Sequence, residues 1–436
     1  MISSRTELCA KVATLILAGA VLLGALAPAA FAQGDQAVNV VTIGVLVDQS
    51  GLRASMDRGI EAALRVAAAE INESFARTGE PLRVELRVGD TRSDPDHALL
   101  QLQALAQEGI RIVIGPTTSA EVHRVRSYAQ TQGILLISPS STAPSLSLSG
   151  DLTYRMAPDD TMQGKALADR MWRDGIRAVV PIRRSDLYSQ DLVDSTKRVF
   201  ESRNLIIDLD LEDTKDANDN CKGLREEDLK KKDPPIQVCA GVVYNPRTSD
   251  YISEVQALTD VVAGAVQAYG ARRVAVLLIA FDEAVSILEQ ASKSPILSLV
   301  RWYGADGIAK SSSIVNQPDA GRFAASVSFT ASLFAEPQNQ AFARLSEATL
   351  REYGIAPDAY AANAYDALWL VARAMTAERA GGDPRRIAAS LASAARGYEG
   401  ASGQVRFNAA GDRDLDQYDF WQVQRRGAAY DWVRVR

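Results

Sequence analysis

Ser119, Ser140 and Thr142 are hydroxyl side chains at the ends of two apolar runs, Ile112-Val-Ile-Gly-Pro-Thr-Thr-Ser119 and Ile134-Leu-Leu-Ile-Ser-Pro-Ser-Ser-Thr-Ala-Pro144. Hydroxyls beside free backbone amides hold a carboxylate without a formal charge. The same residues also serve as helix and turn caps. Asp306, in Tyr303-Gly-Ala-Asp-Gly307, is an acid between glycines. It suits an ammonium group, or equally an Asp-Gly turn. Tyr188 and Phe281 each follow a segment read as a strand. They offer aromatic contact to a ligand or fill a core. The chemistry these types share is non-covalent capture of a small amphiphile.

Such residues must be brought together by a frame. Between the two apolar runs lies one helix, over residues 120–132. A strand, a helix and a strand make parallel neighbours, with both loops opening on the carboxyl edge of the sheet. The first loop also feeds a helix N-terminus, where free amides and the dipole favour an anion. The buried run 40–47 predicts a further strand, ended by the turn Asp48-Gln49-Ser50-Gly51. Met56, Ile60, Leu64, Ala67 and Ile71 then recur at helical spacing. A strand over 82–88 follows, then a helix from the Asp94-Pro95 start to residue 108. Residues 151–160 lack a period and read as a crossing.

The β-α pattern then begins again. Helices are expected over 161–173, 187–201 and 250–269, and strands over 178–182, 205–209, 238–243, 273–279, 297–302 and 323–329. Helices over 339–353 and 358–378 come next, and another starts at Asp383-Pro384. A hairpin is expected between 403–407 and 419–424 around Asn408-Ala-Ala-Gly411. Residues 212–235, polar and ended by Pro234-Pro235, read as a surface insertion. Its alternating Asp216, Asn218 and Asn220 fall short of a calcium loop, because Cys221 stands where glycine belongs.

Enzyme signatures are missing. His97 and His123 lie in no metal or triad pattern, and no dinucleotide fingerprint, phosphate loop or nucleophile elbow occurs. No cofactor and no metal is expected. The net charge of −6 and the lack of a basic stripe with aromatics argue against nucleic acid. Residues 1–32 read as a signal peptide: Arg5 and Lys11, an apolar run over 12–27, then Ala30-Phe31-Ala32 for cleavage after Ala32. That places the mature chain in an oxidising compartment, the periplasm or extracytoplasmic space. A disulfide between Cys221 and Cys239 is expected there, adding about 3 kcal/mol.

Several motifs, in order along nearly the whole mature chain, resemble one family. They are Ile43-Gly-Val-Leu-Val with Ser50-Gly51, Ile114-Gly-Pro-Thr-Thr-Ser119, Ile137-Ser-Pro-Ser-Ser-Thr-Ala-Pro144 and Tyr244-Asn-Pro-Arg-Thr-Ser-Asp250. Gly304-Ala-Asp-Gly307, Ala361-Ala-Asn-Ala-Tyr-Asp-Ala367 and Gly403-Gln-Val-Arg-Phe-Asn-Ala-Ala-Gly-Asp412 complete the set. The chain is similar to the type I periplasmic solute-binding proteins of the leucine/isoleucine/valine-binding group. The resemblance implies an α/β fold of two doubly wound parallel-sheet lobes joined by a three-stranded hinge. It implies lobe 1 over 38–158 plus 334–400 and lobe 2 over 159–333 plus 401–436.

In that family the ligand carboxylate is held at the positions of Ser119, Ser140 and Thr142, and the ammonium at that of Asp306. Aromatic residues occupy the positions of Tyr188 and Phe281. Asp306 is one methylene shorter than the glutamate of the best-known members, and the insertion is larger than usual. The implied protein is a monomer, no enzyme, that captures an amino acid and delivers it to the permease of an ABC importer. The competing expectation is a periplasmic sensor of an amide or small organic acid in a signalling system.

Overall fold

The first strand, β1 (Asn39–Val47), buries five successive residues from Ile43 to Val47. Such a run needs cover on both faces of its sheet, which only flanking helices supply. The computed structural model describes residues 38–202, 236–248, 250–379 and 382–436. Helix α1 (Ala54–Thr78) turns Met56, Ile60, Leu64, Ala67 and Ile71 inward and ends on Gly79 at φ +73°. Strand β2 (Leu82–Asp90) and helix α2 (Pro95–Gln107), capped by the Asp94 side chain, complete the first unit. Strand β3 (Ile112–Ile114), helix α3 (Ser119–Gln132) and strand β4 (Leu135–Ser138) follow. The order in the first sheet is β2-β1-β3-β4-β5, and β1, β3, β4 and β5 run parallel.

β5 (Thr153–Arg155) corrects the reading of 151–160 as a crossing alone. Three residues are too few to show a period, yet they pair with Leu136–Ser138. The crossing proper leads from β5 into helix α4 (Asp160–Arg173).

The second sheet is built from β6 (Ala178–Arg184), β7 (Gln237–Val238), β8 (Val242–Tyr244), β9 (Val274–Ile279), β10 (Arg301–Gly304) and β11 (Thr330–Phe334). With β14 (Tyr418–Arg426) and β15 (Ala429–Val435), its order is β15-β14-β11-β10-β9-β6-β7, with β8 also on β6. Strands β6 to β11 pair in parallel, and the last two run antiparallel. Helices α5 (Leu187–Ser202), α6 (Ile252–Tyr269) and α7 (Ala284–Ala291) belong to this layer.

Four expectations shift here. The strand placed over 238–243 is two short strands, β7 and β8. Residues 297–299 form a 3-10 turn, and β10 starts at Arg301. The strand placed over 323–329 is largely helix: Pro318 opens a helix over Pro318–Ser326, and the strand is Thr330–Phe334. Phe323 and Ala324 are buried from that helix, so their apolar character mimicked a strand. The closing hairpin joins β14 (Tyr418–Arg426) to β15 (Ala429–Val435), turning at Gly427 with φ +64°. Strand β13 (Gly403–Gln404) pairs instead with β12 (Glu399–Gly400). The expected strand 205–209, the insertion 212–235, Cys221 and residues 1–32 lie outside the described residues.

After β11 the chain returns to the first layer. Helix α8 (Gln340–Tyr353) and helix α9 (Ala359–Glu378) pack on α1, and helix α10 (Pro384–Ala395) packs on α9. It then goes back to β14, so three segments link the layers. At one link, Arg155 pairs with buried Asp412 at 2.5 Å and donates to the Ala143 carbonyl at 2.7 Å. No helix among the described residues is long and apolar enough to cross a membrane.

Candidate ligand-binding cleft

Gly115 ends β3 with φ +106°. A Cβ there would sit 2.1 Å from the Leu46 carbonyl oxygen, so only glycine lets the loop pass β1. The loop then places Thr118 as N-cap of α3, in a capping box with Glu121. Ser119 is the first residue of that helix. Its Oγ accepts the N–H groups of Thr142 and Ala143, both at 3.1 Å, and the hydroxyl of Ser141 at 3.2 Å. Ser140 donates to the Thr117 carbonyl at 2.7 Å. Thr142 donates at 2.8 Å to Asp160, the first residue of α4. The hydroxyls thus tie the two loops to each other and to the start of the second layer.

Three buried acids, Asp57, Glu121 and Asp160, underlie this edge. Burial pushes the Asp57 carboxyl up to about 6, against the pull of Arg53 and the Thr117 hydroxyl. Burial likewise lifts Glu121 to about 7. Asp160 is pushed well above the usual carboxylate range, first by burial and then by the charge of Asp306.

On the facing edge, Asp306 follows β10 in a short turn. Gly307 beside it is needed for close approach: a Cβ would lie 2.8 Å from the Ala280 carbonyl and 2.9 Å from the Phe281 ring. Tyr188 donates its hydroxyl to Asp306 at 2.6 Å and stacks on Phe281 with ring centroids 5.6 Å apart. Tyr360, from α9 in the first layer, donates to the other oxygen of Asp306. Burial, then the charge of Asp306, holds both phenols well above their ordinary range, so they remain donors. The Arg184 guanidinium lies 4.0 Å over the Phe281 ring and is fixed by Asp186 at 2.6 Å and by Glu283. Further contacts close the edges: Ser55 donates to Asp282 at 2.8 Å, and the Asp282 N–H donates to the Leu52 carbonyl at 2.9 Å.

The six residues singled out from sequence, Ser119, Ser140, Thr142, Tyr188, Phe281 and Asp306, all line one cavity between the edges. Its volume is about 10 Å³, which fits one water molecule. Arg53, Thr117 and Thr118 line it as well.

The sequence from residue 59 to 426 matches the family described as the receptor family ligand binding region. The chain belongs to that family. Its fold is that of the type I periplasmic binding proteins. An uncharacterized protein of Methanocaldococcus jannaschii is 27% identical over 435 residues, 94% of this chain and 95% of that one. A Leu/Ile/Val-binding protein of Rhizobium johnstonii is 30% identical over 137 residues, which cover 31% of this chain and 35% of that one. Among solved structures, a leucine binding protein of Thermotoga maritima superposes with a TM-score of 0.68 at 20% identity. That match covers 90% of this chain and 97% of that one.

Within this family member, sequence reasoning missed Arg53, Tyr360 and Asp160. Arg53 had a usable signal: it follows β1, whose carboxyl end shares the edge with β3. Tyr360 had none, because it reaches the cleft from a helix more than 200 residues after the hydroxyl loops. His97 is half-buried and His123 exposed, and neither lines the cavity.

Proposed function

We propose that this chain is an exported solute-binding protein that closes its two lobes on an amino acid or similar small amphiphile and delivers it to an ABC importer. The single observation behind this reading is the convergence of Ser119, Ser140, Thr142, Tyr188, Phe281 and Asp306 on one cavity. Hydroxyl and amide groups stand on one side, an acid and two aromatics on the other. This polarity complements a zwitterion with an apolar side chain. A cavity of about 10 Å³ is far smaller than an amino acid, so entry requires the lobes to part or side chains to withdraw. Ligand then favours the closed form by its differential affinity.

The lobes would be 38–158 plus 334–400 and 159–333 plus 401–436, moving about the three linking segments. Ser119, Ser140 and Thr142 receive the carboxylate end, Asp306 the ammonium, and Tyr188 and Phe281 the apolar part. A thermal-shift screen of residues 33–436 against L-amino acids, aliphatic amides and small aromatic acids tests this reading. A ligand that binds only the folded state raises the melting temperature. A shift with one class of L-amino acid is expected. Shifts with amides or acids alone would remove the ammonium role from Asp306 and favour a sensor or a different cargo.

A further inference from the structure

Among the described residues, Arg53 is the one cation that lines the cavity, and its side chain is 3% exposed. It stands immediately before α1, in a turn organised by Asp48, which accepts the Arg53 N–H at 2.8 Å. Its Nε meets Asp57 at 3.3 Å. Asp57 is otherwise committed, accepting the Asp48 N–H at 2.8 Å and the Thr117 hydroxyl at 2.6 Å. The guanidinium lies 4.9 Å over the Phe281 ring and 5.6 Å over the Tyr360 ring. One terminal nitrogen, Nη2, is buried and has no hydrogen-bond partner.

A buried guanidinium N–H without an acceptor is costly, and a carboxylate is the acceptor whose geometry and charge match it best. The hydroxyls of the same edge already donate elsewhere: Ser141 to Ser119, Ser140 to the Thr117 carbonyl and Thr142 to the Asp160 carboxylate. Resting on the reading that the cleft takes a small ligand, we propose that Arg53 supplies the charge that holds the ligand's acid end at the edge of Ser119, Ser140 and Thr142, so that the site selects carboxylates over the corresponding amides.

The geometry accounts for the selectivity. Arg53 belongs to the first lobe and Asp306 to the second, and both line one cavity. A zwitterion entering between them presents its anion to Arg53 and its cation to Asp306. An amide offers Arg53 only a neutral carbonyl. A basic side chain directed at the first lobe meets like charge.

The test is calorimetric titration of residues 33–436 with three matched pairs: L-leucine and L-leucinamide, 4-methylpentanoate and its amide, benzoate and benzamide. The acid of at least one pair is expected to bind at least 30-fold more tightly than its amide. In Arg53→Gln that ratio should fall below threefold through loss of the acid alone. Arg53→Lys, which keeps a charge opposite Asp57 but loses the fork, should lose about tenfold for the acid and leave the amide unchanged. It serves where the glutamine variant does not fold. Equal binding of acid and amide by the parent protein overturns the assignment of Arg53 while leaving a ligand-binding cleft. So does an Arg53→Lys variant that loses both alike. Failure of the parent to bind any of the six overturns the ligand reading, and this inference with it.

Discussion

The two edges of the cleft are built on different plans. The first is finished mostly within its own layer: apart from the Thr142 bond to Asp160, Ser119, Ser140 and Ser138 bond loops of the same sheet, the last by donating to the Pro116 carbonyl at 2.7 Å. The second is finished from across the gap. Asp306 takes one hydroxyl from Tyr188 beside it and one from Tyr360 of the opposite layer. A prebuilt edge spends bonds on rigidity, whereas a shared edge spends them on the approach of the lobes. Mutations of the hydroxyl scaffold on the first edge should therefore act mainly on folding stability, and those on the second edge, like those of Arg53, on closure and binding.

The largest contrast expected lies in the pH dependence of stability, which the first edge carries. Asp57 is pushed up to about 6 and Glu121 to about 7 by burial, above their unfolded values near 4. The folded state therefore binds these protons more tightly than the unfolded state does. Their stabilising share is full below about pH 4 and is lost as pH rises through 6 and then 7, by about 3 kcal/mol for each group. Urea unfolding of Glu121→Gln from pH 4 to 8 should show a flatter profile than the parent. A parallel profile would mean Glu121 is no more acid-stabilised than in the unfolded chain.

Next comes a comparison within the second edge. Both phenols donate to one carboxylate, and a hydrogen bond to a charged group is worth about 1.5–3 kcal/mol. Tyr360→Phe should shift the lobes toward the open form, seen as a larger radius of gyration in solution scattering. Tyr188→Phe should leave the radius unchanged and weaken ligand alone. Equal effects on the radius would erase the distinction between the cross-cleft and same-side donors.

The smallest effect expected is that of Ser119→Ala. It leaves the amides of Thr142 and Ala143 without their acceptor, at a cost of about 1–2 kcal/mol in unfolding free energy. If affinity falls while stability does not, Ser119 belongs with the ligand rather than the scaffold.

The same contrast governs what could be read in advance. The first edge is local: β3, α3 and β4 follow one another, so their pattern shows both the parallel pair and the loops that meet. Asp306, Tyr188 and Phe281 could be placed only singly, each at a strand end, and their union depends on the strand order β10-β9-β6. Tyr360 completes Asp306 through a long return of the chain, which no spacing encodes. The remaining differences between pattern and structure are local. β5 was too short for a period, and Phe323 lent a helix the apolar look of a strand. Asn408-Ala-Ala-Gly411 imitated a hairpin turn whose actual place is Gly427.

The central claim is that the cleft holds a zwitterion by opposite charges on opposite lobes. It is tested most directly by titrating the parent and Asp306→Ala with the L-amino acid that gives the largest thermal shift. Removing one partner of a buried charge pair costs about 2–5 kcal/mol. The variant should therefore bind at least tenfold more weakly while remaining folded, as an unchanged circular dichroism spectrum in the absence of ligand would show. Unchanged affinity would contradict the account and place the ammonium group elsewhere.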